Sequence, residues 1–499
     1  MGSLAMVLVV MSLGCGEKPE DTARPEPADS AETAPPDGDD SADSNPDPDS
    51  QADSEPPPET GDSTGDSEPP TGPLFITAGD FPVIFEAAEN RGALGTAVSG
   101  VGDLTGDGVA DLCITAPELA SGTGYLYIMG GPATVGGSVE DYASRIRGPS
   151  ADGHLSAPGS AGTGDVNADG YPDLLLRSSH QSSNGDADGA AYVVLGPFSS
   201  WINLGGGGAE AVILPESTDS IAQAHSSASL GDLDGDGDAE VVVGGRGENG
   251  VLVVSVFEGP VSGEHLMNEA EGRIEGAMSL VDASGDLDSD GSNDLLVVDA
   301  FGNIELFAGP VVGLHEHYGF GDASVTEGHA VATGRDVDGD GHHDLLVGDF
   351  DVMVGEDLNA GSAYLVLGPI KDDLVLTSDA HATILGTHKL QRSGKTVDLP
   401  GDVDGDGLGE LLIGCDPYYE YKYDGVGGYL VLGVPEGTME GSDSDVILSW
   451  WSDYYNEVQH FTGAGDLDGD GLMDIALGDP THEDGDGRAY VFPGADLGL

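Results

Sequence analysis

Positive charge is scarce in this sequence. Fifteen Lys and Arg stand against 91 Asp and Glu in 499 residues, a formal net charge of −76. Such a surface repels phosphate backbones and anionic head groups, which excludes nucleic-acid binding and electrostatic membrane binding and suits cations. Cysteine is scarce too: three residues cannot form a disulfide framework. Aromatics are 6% of the chain, so the core is lean, although 38% hydrophobic residues can supply one. There is no phosphate-binding loop, no H-E-x-x-H and no nucleophile elbow, so the usual signatures of catalysis are missing. Glycine is what the chain has in excess: 81 residues, about one in six against a usual ~7%. With no collagen-like triplet, that abundance indicates turn-rich β structure.

The first 15 residues read as a signal segment. Leu4 to Leu13 are nearly all apolar and too few to span a bilayer, and the run ends in Ser12-Leu13-Gly14-Cys15. This resembles the lipobox of bacterial lipoproteins, with Cys15 as the lipidated residue, although Ser12 stands where Leu is usual and no basic residue precedes the run. Residues 16–72 are almost all Pro, Asp, Glu, Ser, Thr, Ala and Gly. They cannot bury enough apolar surface to fold, and self-repelling carboxylates and prolines keep them extended. A disordered acidic stalk is expected, holding residues 73–499 away from a membrane that the chain touches only through its lipid. The expected location is an outer membrane or cell surface, with secretion as the alternative.

From residue 74 one unit recurs seven times, with a period of about 60 residues. Its pattern is D-x-[DNT]-x-D-G-x-x-[DE]. Oxygens at positions 1, 3 and 5 of a tight loop converge on one point. Position 7 can add its carbonyl, position 9 can close the shell, and Gly at position 6 permits the turn. That is an oxygen set for Ca²⁺. Positions 1, 3, 5, 7 and 9 are Asp103, Thr105, Asp107, Val109 and Asp111 in the first loop. In the second they are Asp165, Asn167, Asp169, Tyr171 and Asp173. The third has Asp232, Asp234, Asp236, Asp238 and Glu240, and the fourth Asp286, Asp288, Asp290, Ser292 and Asp294. The fifth has Asp336, Asp338, Asp340, His342 and Asp344, and the sixth Asp402, Asp404, Asp406, Leu408 and Glu410. The seventh has Asp466, Asp468, Asp470, Leu472 and Asp474. Up to seven calcium ions are expected. Thr105 makes the first loop the weakest, and Asn167 keeps a neutral oxygen in the second.

An EF-hand shares positions 1 to 7 but needs Glu at position 12 and flanking helices. Here position 12 is aliphatic in all seven loops, from Ile114 to Leu477, and each loop runs into a short apolar stretch such as LCITA or LLVGD. Such stretches, bounded by Gly and Asp, predict buried strands. A second strand ends near Gly-Pro, as in AYVVLGP, and a last short one follows, as in AVILPE and ATILGT. With the Gly/Ser-rich strand before the loop, each unit has four. The prediction is all-β: a seven-bladed β-propeller of four-stranded antiparallel blades. The last unit runs out after its third strand, and a spare strand near residues 82–86 precedes the first unit, so this spare strand is expected to complete the seventh blade.

The pattern "Gly-Asp-x-[DN]-x-Asp-Gly-x-x-Asp-Leu-Leu-Val-Gly" followed by "Tyr-x-Val-x-Gly-Pro" resembles the FG-GAP repeat of integrin α-chain propellers and bacterial VCBS-type repeat proteins. The resemblance spans residues 74–499. It implies calcium-stabilised propellers, often on cell surfaces and many used in adhesion, without fixing a ligand. The expected function is therefore a non-enzymatic, surface-displayed binding module, and a monomer, for a protein or glycan ligand. A hydrolase or lyase at the propeller pore, and a structural spacer, are the alternatives. The candidate ligand patch is Tyr418, Tyr419, Tyr421, Tyr423, Tyr454 and Tyr455 with Trp451, in two aromatic stretches predicted on the face opposite the calcium loops; core packing is the competing account. His315-Glu316-His317 reads as a solvated loop, His342 and His343 as exposed, Cys113 and Cys415 as small buried hydrophobes, and Gly205 to Gly208 as a flexible connector.

Overall fold

In the second strand of each unit nearly every side chain is buried. Leu112–Ala116 and Asp344–Asp349 expose none. A strand apolar on both sides needs cover on both sides, and the reason lies in how the sheets stack. In the third unit, Val241 and Val243 pack with Leu175, Val193 and Ile213 of the preceding sheet. Val242, between them, packs with Leu295 and Val297 of the following one. The period-2 alternation of a strand thus feeds two neighbours. Among the described residues the same arrangement recurs at every sheet–sheet interface, which accounts for the continuous aliphatic runs in the sequence.

The computed structural model describes residues 73–87, 92–141, 144–155, 162–178, 189–215, 228–246, 252–275, 279–298, 303–316, 323–326, 330–355, 357–371, 373–415, 426–449 and 460–498. They form seven sheets, the blades of a β-propeller, numbered here by their loops. Blade 3 shows the order from the centre outward: Ala228–Gly231, Glu240–Arg246, Leu252–Phe257 and Gly272–Glu275, all antiparallel. The chain divides into two units, 1–67 and 68–499, and every described residue lies in the second. No helix among the described residues is long and apolar enough to cross a membrane.

The blades differ from expectation in having five strands. The fifth is short and runs parallel to the fourth. Gly263–Leu266, for example, belongs in sequence to blade 3 but pairs with Ala211–Leu214 of blade 2. Each such strand lies just before the fourth strand of the next blade, and in six of the seven it comes from the connection between that blade's third and fourth strands. The others are Trp201–Asn203, Gly313–Glu316, Leu374–Val375, Gly437–Glu440, Leu74–Thr77 and Gly137–Ser138. An otherwise open outer edge is thereby covered by the neighbouring unit.

The ring closes as the sequence predicts. Val83–Glu86 pairs antiparallel with Arg488–Phe492 as the fourth strand of blade 7. Just before it, Leu74–Thr77 pairs with Val446–Ser449 of blade 6. The N-terminal strands therefore tie together the last two blades. Phe81 lies between them, 5.9 Å from the Tyr490 ring and 5.4 Å from that of Phe492, both edge-on.

Candidate metal centres

Each acidic loop joins the innermost strand of a blade to the second. It winds around the carboxylate at position 1. In the third loop Asp232 Oδ1 accepts the N–H groups of Gly235 (2.7 Å) and Asp236 (3.1 Å), and its Oδ2 accepts that of Gly237 (3.1 Å). Asp103, Asp336 and Asp466 do the same in their loops. The winding needs left-handed backbone at two places, positions 4 and 6. Gly235 has φ 77° and Gly237 φ 102°. A Cβ at Gly237 would meet nothing within 4 Å, so glycine is wanted there for its conformation and not for its size. The requirement at position 4 is softer: Ala168 (φ 54°) and Ser289 (φ 63°) meet it.

Position 9 does more than the spacing indicates. In the seventh loop Asp474, 1% exposed, accepts the N–H of Leu467 (2.8 Å) at Oδ2 and that of Gly494 (3.0 Å) at Oδ1. Asp173 holds Val166 and Gly196 in this way, and Asp344 holds Val337 and Gly368. The acid therefore fastens the loop to the end of the third strand, while each oxygen keeps a second lone pair. Burial raises these carboxyls. Asp111 is pushed up to about 6, and Glu240, Asp294, Glu410 and Asp474 to about 7, chiefly by desolvation, with the other acids of the loop adding to the shift.

The acids converge. In the sixth loop Asp402, Asp404, Asp406 and Glu410 each offer an oxygen within 4.8 Å of the others. Asp103, Asp107 and Asp111 meet the same measure, as do Asp232, Asp234 and Glu240, and Asp286, Asp288 and Asp290. The donors fit a hard cation, being all oxygen and mostly charged. The fourth loop adds a sign of its own: the Oδ1 atoms of Asp288 and Asp294 are buried and lack hydrogen-bond partners among the described residues. The third loop holds an acid that the pattern assigned only a carbonyl role. The Asp238 side chain is raised to about 6, first because it hydrogen-bonds the Asp236 carboxylate, a contact that requires a proton between two acids.

Successive loops touch. At several junctions position 7 of one leans on position 4 of the one before. A Cβ on Gly106 would lie 3.0 Å from the Tyr171 ring, and one on Gly405 would lie 3.2 Å from Leu472 Cδ2. Between loops four and five the contact is polar: Ser289 Oγ and His342 Nδ1 are 2.6 Å apart, and the Asp286 N–H donates to His343 Nδ1 at 3.0 Å. His342 and His343 are therefore half-buried bridges between loops, not the exposed side chains expected.

Other expectations fare differently. Cys113 and Cys415 are buried and form no disulfide among the described residues, and burial raises the Cys113 thiol. His315 and Glu316 fall in the fifth strand of blade 3, Gly313–Glu316, because the connection there pairs with its neighbour instead of looping into solvent; His317 lies outside the described residues. Leu204–Gly206 forms a 3-10 turn, and a Cβ on Gly205 would come within 2.3 Å of the Pro149 carbonyl, so this glycine run is a packed turn and not a loose connector. Tyr418, Tyr419, Tyr421, Tyr423, Trp451, Tyr454 and Tyr455 all lie outside the described residues, as does Cys15. On the innermost strands Asp282 is raised by burial. Asp398 joins blades 6 and 7 by accepting from Thr462 Oγ1 (2.7 Å) and the Gly463 N–H (2.8 Å).

The fold and its loops define a seven-bladed propeller whose acidic loops are cation-ready. Comparison with known proteins places it more closely. The FG-GAP repeat family matches residues 94–129, 157–194 and 460–492, which fall in blades 1, 2 and 7. Integrin alpha-PS2 of Drosophila melanogaster is 32% identical over 167 residues, covering 30% of this chain. The chain spans 11% of that relative's length. The protein thus carries FG-GAP repeats and is similar to an integrin α-chain over 30% of its length.

Proposed function

We propose that the protein is a calcium-binding, non-enzymatic recognition module displayed outside the cell, on the N-terminal lipid anchor and acidic stalk that the sequence predicts. The observation that carries the calcium reading is the fourth loop, where two buried carboxylate oxygens lack partners among the described residues beside a converged acid cluster. Asp286, Asp288, Asp290 and Asp294, with the Ser292 carbonyl, would hold the ion there, and the matching positions would do so in the other loops. Bound calcium would neutralise the acids that otherwise repel one another and would fix the loop that each blade presents to the next. Seven ions would leave a formal charge of about −62, so the surface stays acidic. The FG-GAP repeats and the integrin similarity support a binding role over catalysis.

The ligand face in this reading is the one opposite the calcium loops. The strands flanking the first aromatic stretch are Glu410–Gly414 and Val426–Val431, a second-to-third connection. Those flanking the second are Val446–Ser449 and His460–Gly465, the step from blade 6 to blade 7. The strand ends that flank both stretches, Gly414 with Val426 and Ser449 with His460, are the ends opposite those that carry the acidic loops. The test is elemental analysis of the dialysed protein together with pull-down of proteins and glycans by a soluble 73–499 fragment. Bound calcium near one ion per loop and ligand capture lost on Tyr419→Ser with Tyr455→Ser support the reading. A metal-free protein that melts unchanged in chelator overturns it.

A further inference from the structure

Arginine is rare here, yet two stand one residue apart on the fourth strand of blade 1, Arg145–Arg147. In register, Arg145 lies between Tyr127 of the third strand and Trp201 of the fifth; Arg147 lies between Tyr125 and Asn203. Residues in register share a face of the sheet. Tyr125 and Tyr127 pack into the hydrophobic cluster shared with blade 7, so this is the face turned toward blade 7. Exposure grows outward along it, from 2% at Tyr127 to 53% at Trp201. The two tyrosine rings stack at 6.0 Å, and Arg145 Cζ lies 5.9 Å from the Tyr125 centroid.

Among the described residues neither guanidinium meets a carboxylate, in a chain with six acids for each base. Arg273 and Arg488 show the contrast: they pair with Glu275 and Glu86. Two forked donors without an acid, beside an exposed indole, form a positive spot on a negative molecule. Guanidinium matches a carboxylate or sulfate two bonds at a time. The edge strand bearing Trp201 is only three residues long, too short to template an added peptide strand.

We propose that this rim platform binds an anionic saccharide. The Trp201 ring takes the apolar face of a sugar, and Arg145 and Arg147 take its carboxylate or sulfate. The site is separate from the calcium loops.

The test is calorimetric titration of the full chain in calcium buffer near 0.15 M salt, where screening over about 8 Å confines the repulsion from the rest of the surface. The probes are tetragalacturonate, a sulfated heparin tetrasaccharide, the methyl ester of the first as a neutral control, and polyglutamate. One or both anionic sugars should bind, the neutral ester at least about tenfold more weakly. Arg147→Gln and Trp201→Ala should each lose about tenfold or more in affinity with unchanged melting. Arg147→Lys, which keeps the charge but not the fork, should fall between. Which sugar binds identifies the anion, carboxylate or sulfate. Should Trp201→Ala fail to fold, the two Arg147 variants decide alone. Binding of neither sugar, equal binding of polyglutamate, or full affinity in Arg147→Gln overturns the proposal.

Discussion

Beyond their packed apolar faces, neighbouring blades meet in two ways. Near the axis they touch through acidic loops, position 7 against position 4, where carboxylates crowd together. At the rim they exchange strands, and the contact is backbone hydrogen bonding in register. The first kind is set among mutually repelling carboxylates and depends on what neutralises them. The second depends on chain connectivity alone. One molecule thus carries a junction that responds to solution conditions beside one that does not, and each can be disturbed without the other.

The largest effect should come from the rim. Deleting residues 74–87 removes the fourth strand of blade 7 and the fifth of blade 6 together, and leaves Tyr490 and Phe492 without Phe81. The cooperative melting transition should disappear and the protein should aggregate on size-exclusion chromatography. If the truncated chain melts like the parent, the strand exchange is not what closes the ring. Next comes the inner junction. Chelation should lower the melting temperature by several degrees or more, since an ion held by the folded loops at 100 times its Kd contributes about 2.7 kcal/mol per site. The deletion variant should show no such dependence if its fold is already lost.

Smaller effects separate the two roles of position 9. Asp474→Asn replaces one acceptor with a donor facing a backbone N–H, at a cost of about 1–3 kcal/mol. Measured by denaturant midpoint in chelator, that loss reports the brace; any further loss in calcium reports a ligand. An equal loss in both would assign Asp474 to bracing alone. The pH dependence is the next test. Asp111, Glu240, Asp294, Glu410 and Asp474 have folded-state values of about 6 to 7, above those of an unfolded chain. Folding without metal therefore takes up protons. The stability contributed by these groups is full below about pH 4 and is lost as pH rises through about 7. In chelator, the melting temperature should be higher at pH 5 than at pH 8, even in high salt that screens the surface charge. Saturating calcium, which needs the ionised acids, should abolish the trend. A melting temperature that rises with pH in chelator would contradict the burial argument. The smallest change is Ala168→Gly, which relieves a left-handed alanine; a gain of at most about 1 kcal/mol is expected in chemical denaturation.

The propeller was legible because seven repeats multiply a weak signal, and the closing strand because blade 7 visibly lacks its fourth. The fifth strands were not. Stretches such as Trp201–Asn203 and Leu374–Val375 are too short to show a period of two, and their partners lie in another unit. The acid positions could be read from spacing, but the work of position 9 could not. The Asp111 partner Gly131 is 20 residues away, where only the fold brings it near. His343 was misjudged for the same reason, since its contact is the backbone of the preceding loop. The Arg145–Trp201 platform is assembled from strands of two units, which no linear motif records.

The exchanged N-terminal strand also sets an order of events in folding. Val83 pairs with Val491, about 400 residues along the chain, whereas Ile475 and Phe492 in the same blade are 17 apart. Closing the longer span costs roughly 3 kcal/mol more chain entropy. Blades should therefore condense locally first, leaving an open crescent with two bare sheet edges. The ring is completed only after the last strand has been made, so the earliest residues of the domain wait longest for their partner. During that wait a second crescent can offer the missing strand just as well. Crowded refolding should then yield dimers that have traded N-terminal strands, while dilute refolding should give single rings.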